Sequence, residues 1–171
     1  MKYAIFLRGI NVGGIKVPMI ALKDCLTSLP VSDVQTYVQT GNITLDSPLP
    51  AVELKHILEK TLHEEFHYEA FVLIYPRDAL GSTVAAYPFL DDADAHRYAV
   101  LCASQAVADE LASHRAEIDT DVEDIVARDY AVYWHVPKGH STDTVFAKLL
   151  AQPKYKGVTT VRNLNTLEKM L

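Results

Sequence analysis

The chain has 171 residues, of which 49% are hydrophobic and 22% charged, and carries a formal net charge of −6. That composition excludes a disordered chain, and the length suffices for one core or for two small halves packed together. No apolar stretch approaches the roughly 20 residues of a membrane span, and Arg8 with its following glycines interrupts any basic-then-apolar leader.

The run YAIFL (3–7) reads as a strand, and it leaves through RGINVGG (8–14): a charge, an amide and three glycines. Pro18 suits a first helical turn, and Met19, Leu22, Leu26 and Leu29 then recur at helical spacing, with Cys25 close to the same face. Residues 34–38 read as a second strand and 43–45 as a third, joined through the hairpin signal Thr40-Gly41-Asn42. Beyond Ser47-Pro48, the stripe Leu54, Leu58, Leu62 and Phe66 marks a second helix, and AFVLIY (70–75) a fourth strand. The order is βαββαβ, the split βαβ of ferredoxin-like folds.

The order then repeats. A connecting helix at 77–86 ends near Tyr87-Pro88, followed by a strand at 96–101 and a helix at 105–114. Residues 125–128 and 131–136 form a hairpin across Asp129-Tyr130. A helix at 144–150, a strand at 158–161 and a short closing helix at 166–170 complete the chain. The expected fold is α+β, with two tandem ferredoxin-like (βαββαβ) halves packed as one compact unit: 1–76, a connecting helix and loop at 77–94, and 95–171.

In such a unit the loop after the first strand lies at the same sheet edge as the hairpin between the second and third. The segments 8–14 and 39–42 are therefore expected to be neighbours in space, two polar glycine-containing loops forming one rim.

Charge is unevenly spread. Residues 1–46 hold four basic and three acidic groups, 47–136 six and seventeen, and 137–171 six and two. An acidic body repels long polyanions while a local basic patch still suits a small one. Cys25 and Cys102 lie far apart without metal-type pairing, which fits a reducing compartment; the expected location is cytoplasmic.

Several motifs invite chemistry. Gly9 and Gly14 match the outer glycines of a P-loop, but Lys16 comes one residue late and no hydroxyl follows it. The dinucleotide pattern fails as well, since Asn11 occupies its second glycine position. What survives is generic: outward-facing amides at Gly13 and Gly14 before a helix N-terminus attract anions, and Arg8 adds a forked donor suited to phosphate or carboxylate. A structural turn with Arg8 in a salt bridge is the competing reading.

His63-Glu64-Glu65-Phe66-His67 spells the zinc-protease pattern H-E-x-x-H. His56, His63 and His67 project opposite the leucine stripe, towards solvent, and no glutamate lies between Glu69 and Glu110 to serve as third ligand; no metal and no cofactor are expected. His140-Ser141 precedes Thr142-Asp143-Thr144, where N-capping accounts for the hydroxyls and the carboxylate. In Arg162-Asn163-Leu164-Asn165-Thr166, Asn and Thr can cap the final helix, which leaves Arg162 open to a binding role. RNA recognition on the sheet is disfavoured: Tyr3 and Phe6 fall on opposite faces and the chain is acidic.

The stretches LRGINVGG (7–14), TYVQTGNITLDS (36–47) and TTVRNLNTLEK (159–169) together resemble a bacterial family called domain of unknown function 1697. YPF (87–89) is similar to a family N-P-F element, with Tyr87 in place of asparagine, and Leu164 stands where the family often has an aromatic residue. His67 falls where glycine is common. The resemblance implies ferredoxin-like halves and no assigned activity. It carries polar motif positions onto Arg8, Asn11, Gln39, Asn42, Arg162, Asn163 and Thr166.

The functional expectation is a site for a small anionic ligand, such as a nucleotide or phosphometabolite. Arg8 and the Gly13 and Gly14 amides would hold the charge, and Asn11, Gln39 and Asn42 would orient the rest. Arg162, Asn163 and Thr166 would join if the last strand reaches that rim. Two rivals stand beside it. One is an interaction module that binds a protein or a second copy of the chain; the other is a phosphate-handling enzyme using His140 or Asp46 as base.

Overall fold

In the computed structural model, which describes residues 1–11 and 14–171, the continuous apolar run of the first segment becomes strand β1 (Lys2–Arg8), buried on both faces. There follow α1 (Met19–Thr27), β2 (Ser32–Tyr37), β3 (Asn42–Asp46), α2 (Ala51–Phe66) and β4 (Phe71–Pro76). Helix α3 (Ala79–Ala85) leads to β5 (Ala95–Cys102), α4 (Gln105–Ser113), β6 (Asp124–Arg128), β7 (Ala131–Pro137) and α5 (Val145–Leu150). The chain ends with β8 (Thr159–Asn163) and α6 (Leu164–Glu168).

Two four-stranded antiparallel sheets result, with orders β2-β3-β1-β4 and β6-β7-β5-β8. The order is the same in both: two tandem ferredoxin-like halves. Contacts divide the chain into Met1–Gly81 with Glu168–Leu171, and Ser82–Leu167.

In the first unit, Leu22 and Leu26 of α1 and Leu54, Leu58 and Leu62 of α2 pack on one face of the sheet. They meet Tyr3, Ile5, Leu7, Ile43, Leu45 and Val72. Each of these leucines is fully buried and contributes about 1.5–3 kcal/mol. In the second unit the equivalent core joins Val100, Val132, Trp134 and Val136 to Ala108, Leu111, Phe146 and Leu150. Among the described residues no helix is long and apolar enough to cross a membrane.

Most boundaries shift by a residue or two from the sequence expectation, and those at Pro18 and at the last strand have a plain physical reason. Pro18 is the N-cap of α1 rather than part of its first turn, with extended backbone (φ −61°, ψ 136°). The last strand runs on through Arg162 and Asn163, because the pairing Ala99↔Arg162 and Tyr98↔Asn163 extends the ladder past the apolar run. The closing helix consequently starts at Leu164, and Thr166 lies inside it.

Candidate functional site

The end of β1 runs beside the start of β3, with Phe6 opposite Asn42. The loop after β1 and the β2–β3 corner therefore share one edge of the sheet, and specific bonds join them. Leu7 N–H donates to the Gly41 carbonyl at 2.8 Å. Asn11, in the left-handed region (φ 55°), donates from Nδ2 to the Gln39 carbonyl at 2.7 Å. Its Oδ1 accepts from Val17 N–H at 2.9 Å, so one side chain ties both ends of the loop to the corner. Gly41 is required where it stands: at φ +72° a Cβ would lie 2.7 Å from Leu7 Cβ and 2.7 Å from Ile10 Cδ1.

The second unit serves as an internal control for this edge. There Cys102 N–H donates to the Tyr130 carbonyl at 2.9 Å, the counterpart of the Leu7–Gly41 bond. Yet β5 connects to α4 through residues 103–104 alone, and β6 to β7 through 129–130 alone. In the first unit the same connections take residues 9–18 and 38–41. The fold closes with two residues at each place, so the additional length in the first unit is not needed to build it. The caps differ accordingly. Ser104 Oγ accepts from Val107 N–H at 3.3 Å and caps α4, whereas Pro18 makes no side-chain bond to the first turn of α1. The leading N–H groups of α1 have no intrahelical acceptor.

Beside this edge is a groove of about 620 Å³ lined by Asn11, Lys16, Val17, Pro18, Met19, Ile20 and Gln39. Lys16, Asn11 and Gln39 supply its polar groups and are exposed, while Val17 is buried in its floor. Such a combination, an apolar wall with one cation and two amides, can take an anionic group and a less polar remainder together. The cation here is Lys16, which sequence reasoning weighed only as a misplaced P-loop lysine. Its position two residues before the helix-starting Pro18 was the available signal.

The other expected site residues fall as follows. Arg8 stands on the opposite face of β1 from Leu7 and is not among the residues lining this groove; partial burial lowers the pKa of its guanidinium. Gly14 is exposed on the loop (φ +90°), and Gly13 lies outside the described residues. Asn42 is fully buried, its Nδ2 donating to the Tyr37 carbonyl at 3.1 Å and to Thr40 Oγ1 at 2.8 Å; it shapes the corner from within. In the second unit, Arg162 Nη1 donates to Thr160 Oγ1 at 2.6 Å and to the Val161 carbonyl at 2.9 Å, structural partners that its sequence position did not suggest. Asn163 Oδ1 accepts from Asn165 N–H at 2.9 Å, opening the turn into α6, and Thr166 sits half-buried within that helix.

Other motifs resolve into structure. His63 Nδ1 lies 2.9 Å from the Tyr68 carbonyl, and His67 ends α2 in the left-handed conformation (φ 53°). His140 Nδ1 lies 3.0 Å from Asp143 Oδ2, and Thr144 Oγ1 accepts from Ala147 N–H at 3.3 Å to cap α5.

Among the solved structures that the chain resembles is one described as that of conserved bacterial protein SP0830 from Streptococcus pneumoniae. The TM-score is 0.78 at 24% identity, over 99% of this chain and 96% of that one, a likeness of fold. No curated protein matches the chain in sequence. A family model described as protein of unknown function (DUF1697) matches residues 1–133, and the chain belongs to that family.

Proposed function

We propose that the first unit binds a small phosphate-bearing anion, a nucleotide or a phosphorylated metabolite, in the groove between the β1–α1 loop and the β2–β3 corner. One observation carries the reading: both connections at this edge are longer than their counterparts in the second unit, and both border the same groove. Loops lengthened beyond what a scaffold needs are where binding residues concentrate. In this reading Lys16 and the uncapped amides of α1 face the phosphate, with Gly14 extending the amide surface. Asn11 and Gln39 orient the remainder, Asn42 holds the corner, and Arg8 adds positive potential from the strand end.

Thermal denaturation in the presence of inorganic phosphate, nucleoside mono- and triphosphates and sugar phosphates tests it. A true ligand at about a hundred times its dissociation constant stabilises by roughly 2.7 kcal/mol. The shift should saturate, and should shrink in Lys16→Ala and Arg8→Ala proteins. Shifts equal in wild type and both variants, or no saturable shift at all, would refute it.

A second reading, an interaction module, is favoured by Ile20, 78% exposed in the groove wall, and Val38, 50% exposed next to Gln39. Sedimentation over a concentration series separates the two: a mass that grows with concentration, unaffected by any anion, selects the interaction module.

A further inference from the structure

The second unit holds a cavity of about 540 Å³ at the end of its sheet where β5 begins and β8 ends. Its charged and amide residues come from four separate places: Asp91 and Asp92 before β5, Arg97 on β5, Lys138 after β7, and Asn163 and Asn165 at the β8–α6 junction. Asn163 and Asn165 of the RNLNT motif line it, and Tyr87 of the YPF motif reaches it only through Arg97 and His135.

Each charged group is held by a neighbour. Arg97 Nη2 donates to Asn165 Oδ1 at 2.7 Å, its Nη1 lies 3.3 Å from Asp91 Oδ1, and its guanidinium carbon is 6.0 Å from the centre of the Tyr87 ring. Asp92 Oδ1 accepts from Asp94 N–H at 2.8 Å. Its Oδ2 lies 3.6 Å from His135 Nε2, and His135 Nδ1 is 3.1 Å from the Tyr87 hydroxyl. Cross-strand pairing sets Arg97 directly opposite His135. A chain from Tyr87 through His135 therefore positions one carboxylate, and a second chain through Asn165 positions the arginine.

Hydrogen-bonding capacity remains on both sides of the cavity. Lys138 Nζ gives one of its three N–H groups to the Ala93 carbonyl. The side-chain N–H groups of Asn163 and Asn165 have no acceptor among the described residues. Asp91 is 89% exposed along its side chain and engages Arg97 through one oxygen. Donors thus converge from Lys138 and the two amides, and acceptors from the two aspartates. A simple anion would meet both carboxylates, and a simple cation would meet Arg97 and Lys138. Only a molecule carrying both charges is complementary to the whole lining.

We propose that this cavity binds a small zwitterion, a free α-amino acid, with its carboxylate on Lys138, Asn163 and Asn165 and its ammonium on Asp91 and Asp92. Arg97 supplies positive potential behind the carboxylate, and the remaining volume takes the amino-acid side chain. The site uses no residue of the first-unit groove and stands independently of the function proposed there.

Titration of the full chain with glycine, L-serine, L-leucine and L-glutamine, followed by the amide signals of Asn163 and Asn165 in nuclear magnetic resonance spectra, tests the assignment. At least one should bind saturably. Its N-acetyl and methyl-ester forms, each lacking one charge, should bind roughly tenfold more weakly or worse, as expected for loss of a charge-assisted hydrogen bond. Lys138→Gln, at an exposed side chain outside the core, should weaken binding by a similar factor with unchanged Trp134 emission, and Asp92→Asn likewise. If Asp92→Asn fails to fold, Lys138→Gln still decides. Absence of saturable shifts with all four amino acids would overturn the proposal. So would equal affinity for the blocked forms, or a Lys138→Gln protein that binds like wild type.

Discussion

Gly41 is where the fold and the candidate groove depend on each other most tightly, and Gly41→Ala measures that dependence. Two costs add. An L-residue held at φ +72° costs about 1–2 kcal/mol relative to glycine. The new methyl would also sit 2.7 Å from both Leu7 Cβ and Ile10 Cδ1. Ile10 Cδ1 is the far end of a side chain and can swing away. Leu7 Cβ cannot, because it is fixed to β1 and the Leu7 N–H is bonded to the very carbonyl of residue 41 at 2.8 Å. Relieving the clash therefore opens the bond that joins strand to corner, an overpacking cost of about 1–3 kcal/mol. The total expected loss is about 2–5 kcal/mol. Gly9→Ala and Gly14→Ala are the controls: both positions have positive φ (+83° and +90°), but a Cβ at either would meet nothing within 4 Å among the described residues. They should lose only the backbone part, about 1–2 kcal/mol. Urea denaturation followed by circular dichroism, with matched slopes, gives the three differences. A Gly41→Ala protein no less stable than Gly14→Ala would show that the corner does not press on β1 as described.

Other substitutions test neighbouring parts of the argument. Asn11→Gly keeps the left-handed backbone and removes the bonds to Gln39 and Val17; a loss of about 1–3 kcal/mol and faster hydrogen exchange at Val17 are expected. Glu123, 3% exposed, accepts from Trp134 Nε1 at 2.8 Å and from Phe146 N–H at 3.0 Å. Glu123→Ala strands two buried donors and should cost about 2–4 kcal/mol, with a changed emission from Trp134, the chain's one tryptophan. Burial pushes the Cys102 thiol up to about 12, so iodoacetamide at neutral pH should leave it unmodified until urea unfolds the chain, while the half-buried Cys25 reacts slowly. Hydrogen bonds from Lys154 and then Tyr155 hold the Glu110 carboxyl below its ordinary value. A lowered folded pKa contributes stability above the unfolded value that disappears as pH falls through the folded one, so Glu110→Gln should flatten the acid side of the stability profile.

The order of elements was legible because short apolar runs bounded by turn signals contrast with stripes at helical spacing. The stripe Leu54–Leu58–Leu62 is the buried face of α2, and YAIFL is the centre of β1. Boundaries were less legible where hydrogen bonding rather than hydrophobicity sets the end. Arg162 and Asn163 belong to β8 because β5 offers them ladder partners, a fact held in another segment of the chain. The meeting of the 8–14 loop with the 39–42 corner was readable from topology alone, since antiparallel pairing of the first and third strands leaves no other place for them. The role of Asn42 was not. Polar motif residues look alike in sequence whether they face outward, as Gln39 does, or turn inward to tie a corner, as Asn42 does.

The two candidate sites differ in why one could be anticipated and the other could not. The first-unit groove is an addition to the chain: residues 9–18 replace a two-residue connection, and the addition is visible as soon as the two halves are aligned by element order. The second-unit cavity adds nothing. Its asparagines belong to the RNLNT motif, but its aspartates, arginine and lysine come from other segments, each of which alone reads as solvated surface. Only the pairing of β5 with β7 and β8 brings Arg97, His135 and Asn163 to one end of one sheet. A length difference survives in a linear string of residues, whereas a convergence of charges across antiparallel strands exists only once the strands are paired. The RNLNT motif marks one wall of that cavity in the sequence, and strand pairing alone supplies the others.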